Sequence, residues 1–213
     1  MITELWLWLI LVLPLGSSVV IALILRPLGI RYSKYSGHVT VLTVGGSFVL
    51  SLWALQSLVL DQNLGGTWGS FTWLKVGMVE VSFGVTLEPL TSIMLVLLTG
   101  ISLLVQIYSI GYMHGDPGYP RYFGLMSLFT ASMVGLVIAS SIVQLYFFWE
   151  LVGLCSYLLI GFWYNKPAAA AAAKKAFIVT RIGDFGFLLA IMYLVLNAGI
   201  FESQGYNPLE ISS

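Results

Sequence analysis

Six long apolar runs, separated by short polar breaks, constrain this chain more than any other feature of its sequence. A bilayer core of about 30 Å takes roughly 20 helical residues to cross. The runs at about 4–25, 38–60, 87–110, 122–139, 142–164 and 172–197 are each of that order. Only 8% of the residues are charged and 59% are hydrophobic, against about 25% charged residues in a soluble domain. Such a chain cannot cover itself with polar surface in water. The expected fold class is an all-α integral membrane protein of about six transmembrane helices, forming a single membrane domain over residues 1–213.

Breakers set the boundaries. Arg26-Pro27 through Lys34 closes the first run, and the stretch from Gly65-Gly66 to Gly77 reads as a polar, Trp-rich loop. Gly115-Asp116-Pro117-Gly118 makes a tight turn, and Ser140-Ser141 leaves almost no loop between runs four and five. Pro167 followed by Ala168 to Ala173 suits a helix start, because proline is tolerated in the first turn and alanine is the best helix former. The first run is read as a retained span: Glu4 stands where a signal peptide has basic residues, and no small-residue cleavage site follows. The last run gives way to a polar stretch from Glu202 to Ser213, which reads as a sequence cut in a loop.

Charge sets orientation and excludes partners. With the N-terminus outside, the inner loops hold Arg26, Arg31, Lys34, Arg121, Lys166, Lys174 and Lys175, and the outer side holds Lys75. That is the arrangement in which cytoplasmic-side loops carry the excess of Lys and Arg. Net charge is zero, so there is no basic footprint for nucleic acid. Cys155 is the only cysteine, so no disulfide framework, zinc site or cysteine-ligated cluster can be built from this chain alone. His38 and His114 read as loop residues without metal-ligand spacing. No GxGxxG, P-loop, HExxH or GxSxG motif is present.

Of nine basic and nine acidic side chains, three fall well inside the expected spans: Glu150 in the fifth, and Arg181 with Asp184 in the sixth. Each would cost about 2.5–3.5 kcal/mol at a bilayer centre on insertion scales, so such groups mark an ion pathway or a buried pair. Arg181 and Asp184, three apart, share a helix face. Lys174 falls with them within about an 80° sector at roughly 100° per residue, which makes a polar stripe suited to a water-assisted proton relay. Lys174 and Lys175 stand at its inner end as entry groups. The plainer readings are a self-neutralising pair for Arg181 and Asp184 and interfacial snorkelling for the two lysines. The fifth span carries no Lys or Arg, so a desolvated Glu150 is expected to hold a proton unless a cation from another helix approaches. The plainer reading there is a structural carboxyl bonded to Ser or Tyr hydroxyls.

Several stretches are similar to one family. Leu87-Glu88-Pro89-Leu90-Thr91, Ile107-Tyr108-Ser109-Ile110-Gly111-Tyr112-Met113 and Arg121-Tyr122-Phe123 resemble the third-to-fourth span region of the L-type, or chain 5, antiporter-like subunit of complex I. Phe147-Phe148-Trp149-Glu150-Leu151-Val152-Gly153 with the run to Tyr164 resembles that family's fifth span, and Lys175-Ala176-Phe177-Ile178-Val179-Thr180-Arg181-Ile182-Gly183-Asp184 its sixth. The wording resembles most the F-type chain of cyanobacterial or plastid NAD(P)H dehydrogenase-like complexes, their carbon-dioxide-uptake variant included. The resemblance implies the N-terminal part of an antiporter-like helical bundle, with Glu150 as the family's intramembrane glutamate and Arg181 and Asp184 on the charged axis of the membrane arm. It further implies a non-redox subunit of a proton-translocating quinone oxidoreductase, without a cofactor of its own. The quinone (plastoquinone), NAD(P)H or ferredoxin and Fe-S clusters would belong to partner subunits. Implied partners are the lipid bilayer, other membrane subunits including further antiporter-like ones, and a CO2-hydrating protein. The implied location is a thylakoid membrane with the N-terminus lumenal.

Two departures stand out. In the family the glutamate is coupled to a lysine on the next helix, with further lysines beyond, and those helices are not in this chain. Glu88 also occupies a position where the family has Asp. Two other readings compete: the large subunit of a multisubunit Na+/H+ antiporter, and a mainly structural piece that supplies packing surface to neighbouring membrane subunits.

Overall fold

The computed structural model describes residues 4–25, 34–60, 65–76, 79–202, 207 and 209–211. Arg26, Pro27, Arg31, Gly77 and Ser213, used above, lie outside the described residues. Helix α1 (Glu4–Val20) runs on into a π-helical turn, Ile21–Leu25. It is followed by α2 (Ser36–Leu60), strands β1 (Gly66–Val76) and β2 (Val79–Leu87), and then α3 (Pro89–Tyr112) and α4 (Tyr119–Val137). Helices α5 (Ile142–Ile160), α6 (Pro167–Leu196) and the short α7 (Ala198–Glu202) complete the order.

Each expected span has its helix, and the shifted ends have local causes. Glu88 is extended (φ −124°, ψ 166°) ahead of Pro89, which delays the start of α3. Pro120 and Pro167 sit in the first turns of α4 and α6 and open those helices early. Gly161 caps α5 before residue 164. At the other end of α5 the Ser141 hydroxyl accepts from the Gln144 amide at 3.3 Å, a side-chain N-cap.

Five of the described helices are long and apolar enough to cross a membrane: α1 with its π turn, α2, α3, α5 and α6. Helix α4 falls outside that set, and its polar residues are accommodated by its surroundings. It packs against α1, α2, α3 and α5, so its sides meet protein, and Ser127, Thr130 and Ser132 are buried along it. A helix enclosed by others can carry polar groups where each finds a partner. Gly135 brings α4 close to α5, since a β-carbon there would overlap the Phe148 ring.

Pro14 shows how a helix break inside the bundle is repaired. Proline has no N–H, which leaves the carbonyl four residues earlier without its helical donor. The Ser47 hydroxyl of α2 donates to that carbonyl, Ile10 O, at 3.0 Å. The Pro14 carbonyl in turn accepts from Ser127 of α4 at 2.8 Å and from Ser17 at 2.9 Å. In a bilayer, where water is not on hand, such replacements are required.

The stretch expected as a Trp-rich loop is a correction: β1 and β2 form an antiparallel hairpin. Val79, Val81, Phe83, Val85 and Leu87 alternate with Glu80, Ser82, Gly84 and Thr86, the period-two pattern of a strand with one buried face. β1 carries two register shifts, and Gly69 within one of them has φ +58°, a left-handed conformation that favours glycine. The hairpin is stitched to the bundle at the Ser140-Ser141 link. Thr86 N donates to Ile138 O at 2.9 Å, and Ser141 Oγ donates to Ser82 O at 2.6 Å. The fully buried Gln144 side chain accepts from Gly84 N (3.1 Å) and donates to Gly84 O (3.0 Å). On the other side of the link, Ile142 N donates to Leu209 O and Ile211 N to Ser140 O. Leu209 is buried there, so the polar stretch after the sixth run is in part docked against the start of α5.

Candidate charged site between helices α5 and α6

Glu150 lies near the middle of α5, and Arg181 and Asp184 lie near the middle of α6. The sequence leaves Glu150 without a cation on its own helix; the fold supplies one from the next. Arg181 Nη1 forms an ion pair with Glu150 Oε2. The same nitrogen is 3.9 Å from Asp184 Oδ2, beyond hydrogen-bond distance. The Arg181 partnership expected from i,i+3 spacing is thus the looser of its two carboxylate contacts. The guanidinium also stands 4.6 Å from the centroid of the Phe177 ring, and Phe177 is itself packed on Tyr157.

Asp184 is the most enclosed of the three, 7% exposed. Its Oδ1 accepts from the indole Nε1 of Trp149 at 2.7 Å. A cavity of about 650 Å³ adjoins it, lined by Trp149, Ser156, Thr180, Gly183 and Asp184 with apolar walls of Met133 and Phe187. Glu150 and Arg181 do not line that cavity. The three charged groups therefore bridge from the cavity side of the α5–α6 seam to its other side.

Lys174 and Lys175 are both exposed on α6 and make no ion pair among the described residues. Seven residues at 1.5 Å each put Lys174 about 10 Å along the helix from Arg181, so the structure does not join it to the three. It lines a separate cavity of about 290 Å³ with Arg121, Tyr157 and Tyr164. Arg121 donates to Phe162 O at 2.6 Å and covers the Phe162 and Tyr164 rings. His38 sits in the first turn of α2 rather than in a loop, and shares with His114, Lys34, Asp116 and Tyr119 a cavity of about 620 Å³ at the same end of the bundle. Among the described residues no group of three or more His, Cys, Asp or Glu side chains could hold a metal ion.

Sequence reasoning missed Trp149. Its signal was available, because an indole N–H in an apolar span needs an acceptor and Trp149 adjoins the one charged residue of α5.

Two family models match the chain and between them take in more than half of it. Residues 73–123 match the complex I chain 5 N-terminus of NADH-ubiquinone oxidoreductase, and residues 139–206 match the transmembrane NADH:quinone oxidoreductase/Mrp antiporter model. Subunit 5 of the chloroplastic NAD(P)H-quinone oxidoreductase of Chlorokybus atmophyticus is 44% identical over 202 residues, covering 92% of this chain and 30% of that protein. Chain 5 of the NAD(P)H-quinone oxidoreductase of Synechocystis sp. is 42% identical over 200 residues, with 92% and 29% covered. Among solved structures, the Mrp complex from Dietzia sp. superposes with a TM-score of 0.72 at 30% identity, over 91% of this chain and 20% of that one. The chain thus spans less than a third of the length of these relatives. Both models fall on the elements described here, the first on the hairpin, α3 and the start of α4, the second on α5 and α6 with their charged residues. The chain belongs to the antiporter-like chain 5 family of complex I type quinone oxidoreductases.

Proposed function

We propose that this chain handles protons within an antiporter-like membrane-arm subunit of a proton-translocating NAD(P)H- or ferredoxin-quinone oxidoreductase. The quinone class is plastoquinone, and the carbon-dioxide-uptake variant of the complex falls within the proposal. One observation carries the reading: a single guanidinium, Arg181, stands between two carboxylates on adjacent helices, Glu150 and Asp184. While Arg181 is on Glu150, the guanidinium balances the charge of that carboxylate. When Arg181 moves toward Asp184, Glu150 loses its counter-charge in a low-dielectric setting and takes up a proton. A short displacement of one side chain thereby switches the site between proton-binding and proton-releasing states. The cavity beside Asp184, with the Ser156 and Thr180 hydroxyls on its wall, supplies room for water on one side. Lys174 and Lys175 act farther toward the inner end, with water bridging the gap to Arg181.

In this reading the chain is a non-redox component. Electron-carrying groups sit in partner subunits, alongside further antiporter-like membrane subunits and, in the carbon-dioxide-uptake variant, a CO2-hydrating protein. The chloroplastic and Synechocystis relatives support a thylakoid location. Lys34, Arg121 and Lys166 lie at the end of the helices opposite the hairpin that carries Lys75, which supports a lumenal N-terminus.

The likeness to the Mrp complex at 30% identity favours a second reading, the large subunit of a multisubunit Na+/H+ antiporter. Gentle isolation from the native membrane, with mass spectrometry of everything that comes along, separates the two. Quinone-reductase subunits support the first reading; small antiporter subunits alone support the second.

A further inference from the structure

We propose that Trp149 is a positioning residue that decides which carboxylate holds Arg181; the proposal rests on the proton-handling reading of the same site. Trp149 and Glu150 are neighbours on α5, and each engages one member of the charged pair on α6. Glu150 takes Arg181, while the Trp149 indole donates to Asp184 Oδ1 at 2.7 Å. Consecutive helical residues diverge by roughly 100°, so the two contacts reach α6 from different sides of α5. Trp149 and Asp184 line the 650 Å³ cavity and Glu150 does not.

The consequence lies in how the Asp184 oxygens are used. A guanidinium binds a carboxylate best through two parallel N–H···O contacts, which need both oxygens. The indole bond takes one lone pair of Oδ1 and fixes the orientation of the carboxylate, which leaves Oδ2 3.9 Å from Arg181 Nη1 instead of both oxygens facing the guanidinium. Asp184 is thereby held back as a competitor and Arg181 stays on Glu150. Loss of the indole bond frees Asp184 to take Arg181 with both oxygens and leaves Glu150 without a cation. Among the described residues no other charge lies along this stretch of the α5–α6 seam. α4 carries only Arg121, α5 only Glu150, and α6 adds only Lys174 and Lys175 beyond the pair itself, with Arg121 and Lys174 together at the inner cavity. The indole ring also meets Phe187 edge to face with centroids 6.3 Å apart, a packing contact that a phenyl ring can retain.

The test uses the complete complex and dicyclohexylcarbodiimide, which modifies protonated carboxyls in apolar surroundings. Labelling of the Glu150 peptide is followed by mass spectrometry, and proton-to-electron stoichiometry is measured on the same preparations. Trp149→Phe is expected to raise Glu150 labelling severalfold over wild type. In Trp149→Phe/Asp184→Asn the competitor is neutral, Arg181 returns to Glu150, and labelling falls back to the wild-type level. Trp149→His, which keeps a ring N–H, is expected to label less than Trp149→Phe and guards against a variant that fails to assemble. Unchanged labelling in Trp149→Phe, or raised labelling that persists in the double variant, overturns the proposal, since a purely structural tryptophan would not be rescued by neutralising Asp184. Labelling that follows the expected pattern while stoichiometry stays at the wild-type value upholds the positioning role and removes the relay reading instead.

Discussion

Pro14 and Ser47 illustrate how single residues are tied together across this bundle. The Ser47 hydroxyl donates to Ile10 O, the carbonyl that Pro14 leaves without its helical donor. Replacing Ser47 by alanine removes that donor from a site that is fully buried. An orphaned buried acceptor costs about 1–3 kcal/mol, so Ser47→Ala should lower the thermal midpoint of the detergent-solubilised protein; an unchanged midpoint would mean the carbonyl finds another donor. None of this is visible in the sequence, where Pro14 and Ser47 are separated by a break and neither forms part of a motif. The same holds for Arg181 and Glu150. Sequence spacing identified both as costly inside a span, but local spacing links Arg181 to Asp184, whereas its closer ion pair is with Glu150 across the helix seam. A pairing between helices depends on their relative rotation and axial offset, and apolar runs that face lipid on one side and protein on the other encode neither.

Helices were legible because length and hydropathy suffice for them, and proline and glycine fixed their ends to within a few residues. The hairpin was legible in principle, since β2 alternates cleanly from Val79 to Leu87. Its reading as a loop came from the glycines and polar residues of β1, whose register shifts blur the alternation. Helix α6 and the hairpin should differ in their sensitivity to substitution. Asp184→Asn on α6 removes a buried carboxylate that accepts from Trp149 and faces Arg181. Lys75→Ala removes one partner of the exposed Lys75–Glu80 pair on the hairpin, and exposed pairs contribute at most about 1 kcal/mol. Asp184→Asn should therefore impair proton coupling of the assembled complex far more than Lys75→Ala, as judged by proton movement in sealed vesicles. Equal effects would remove burial as the reason the α6 pair matters.

For the molecule as a whole, α4 forms the hub, α1, α2, α3 and α5 pack around it, and α6 leans on α5. Much of α6 shows apolar surface, with Ile182, Phe185, Tyr193 and Leu196 all exposed, as suits a helix that meets lipid or further membrane helices. The charge distribution gives a prediction about orientation. The only cysteine, Cys155, is buried, so a single introduced cysteine can be labelled from one side of a sealed membrane with little background. A membrane-impermeant thiol reagent added from the lumenal side should reach Lys75→Cys and leave Lys166→Cys untouched; the opposite pattern would invert the topology.

Whether the carboxylate of Glu150 carries protons is decided by the proton-to-electron stoichiometry of the complete complex with Glu150→Gln. Glutamine keeps the size and hydrogen-bonding capacity of the side chain but can neither bind a translocated proton nor hold Arg181 by charge. The variant is expected to assemble, still reduce quinone, and move fewer protons per electron than the wild type. An assembled variant with wild-type stoichiometry would contradict proton carriage by Glu150.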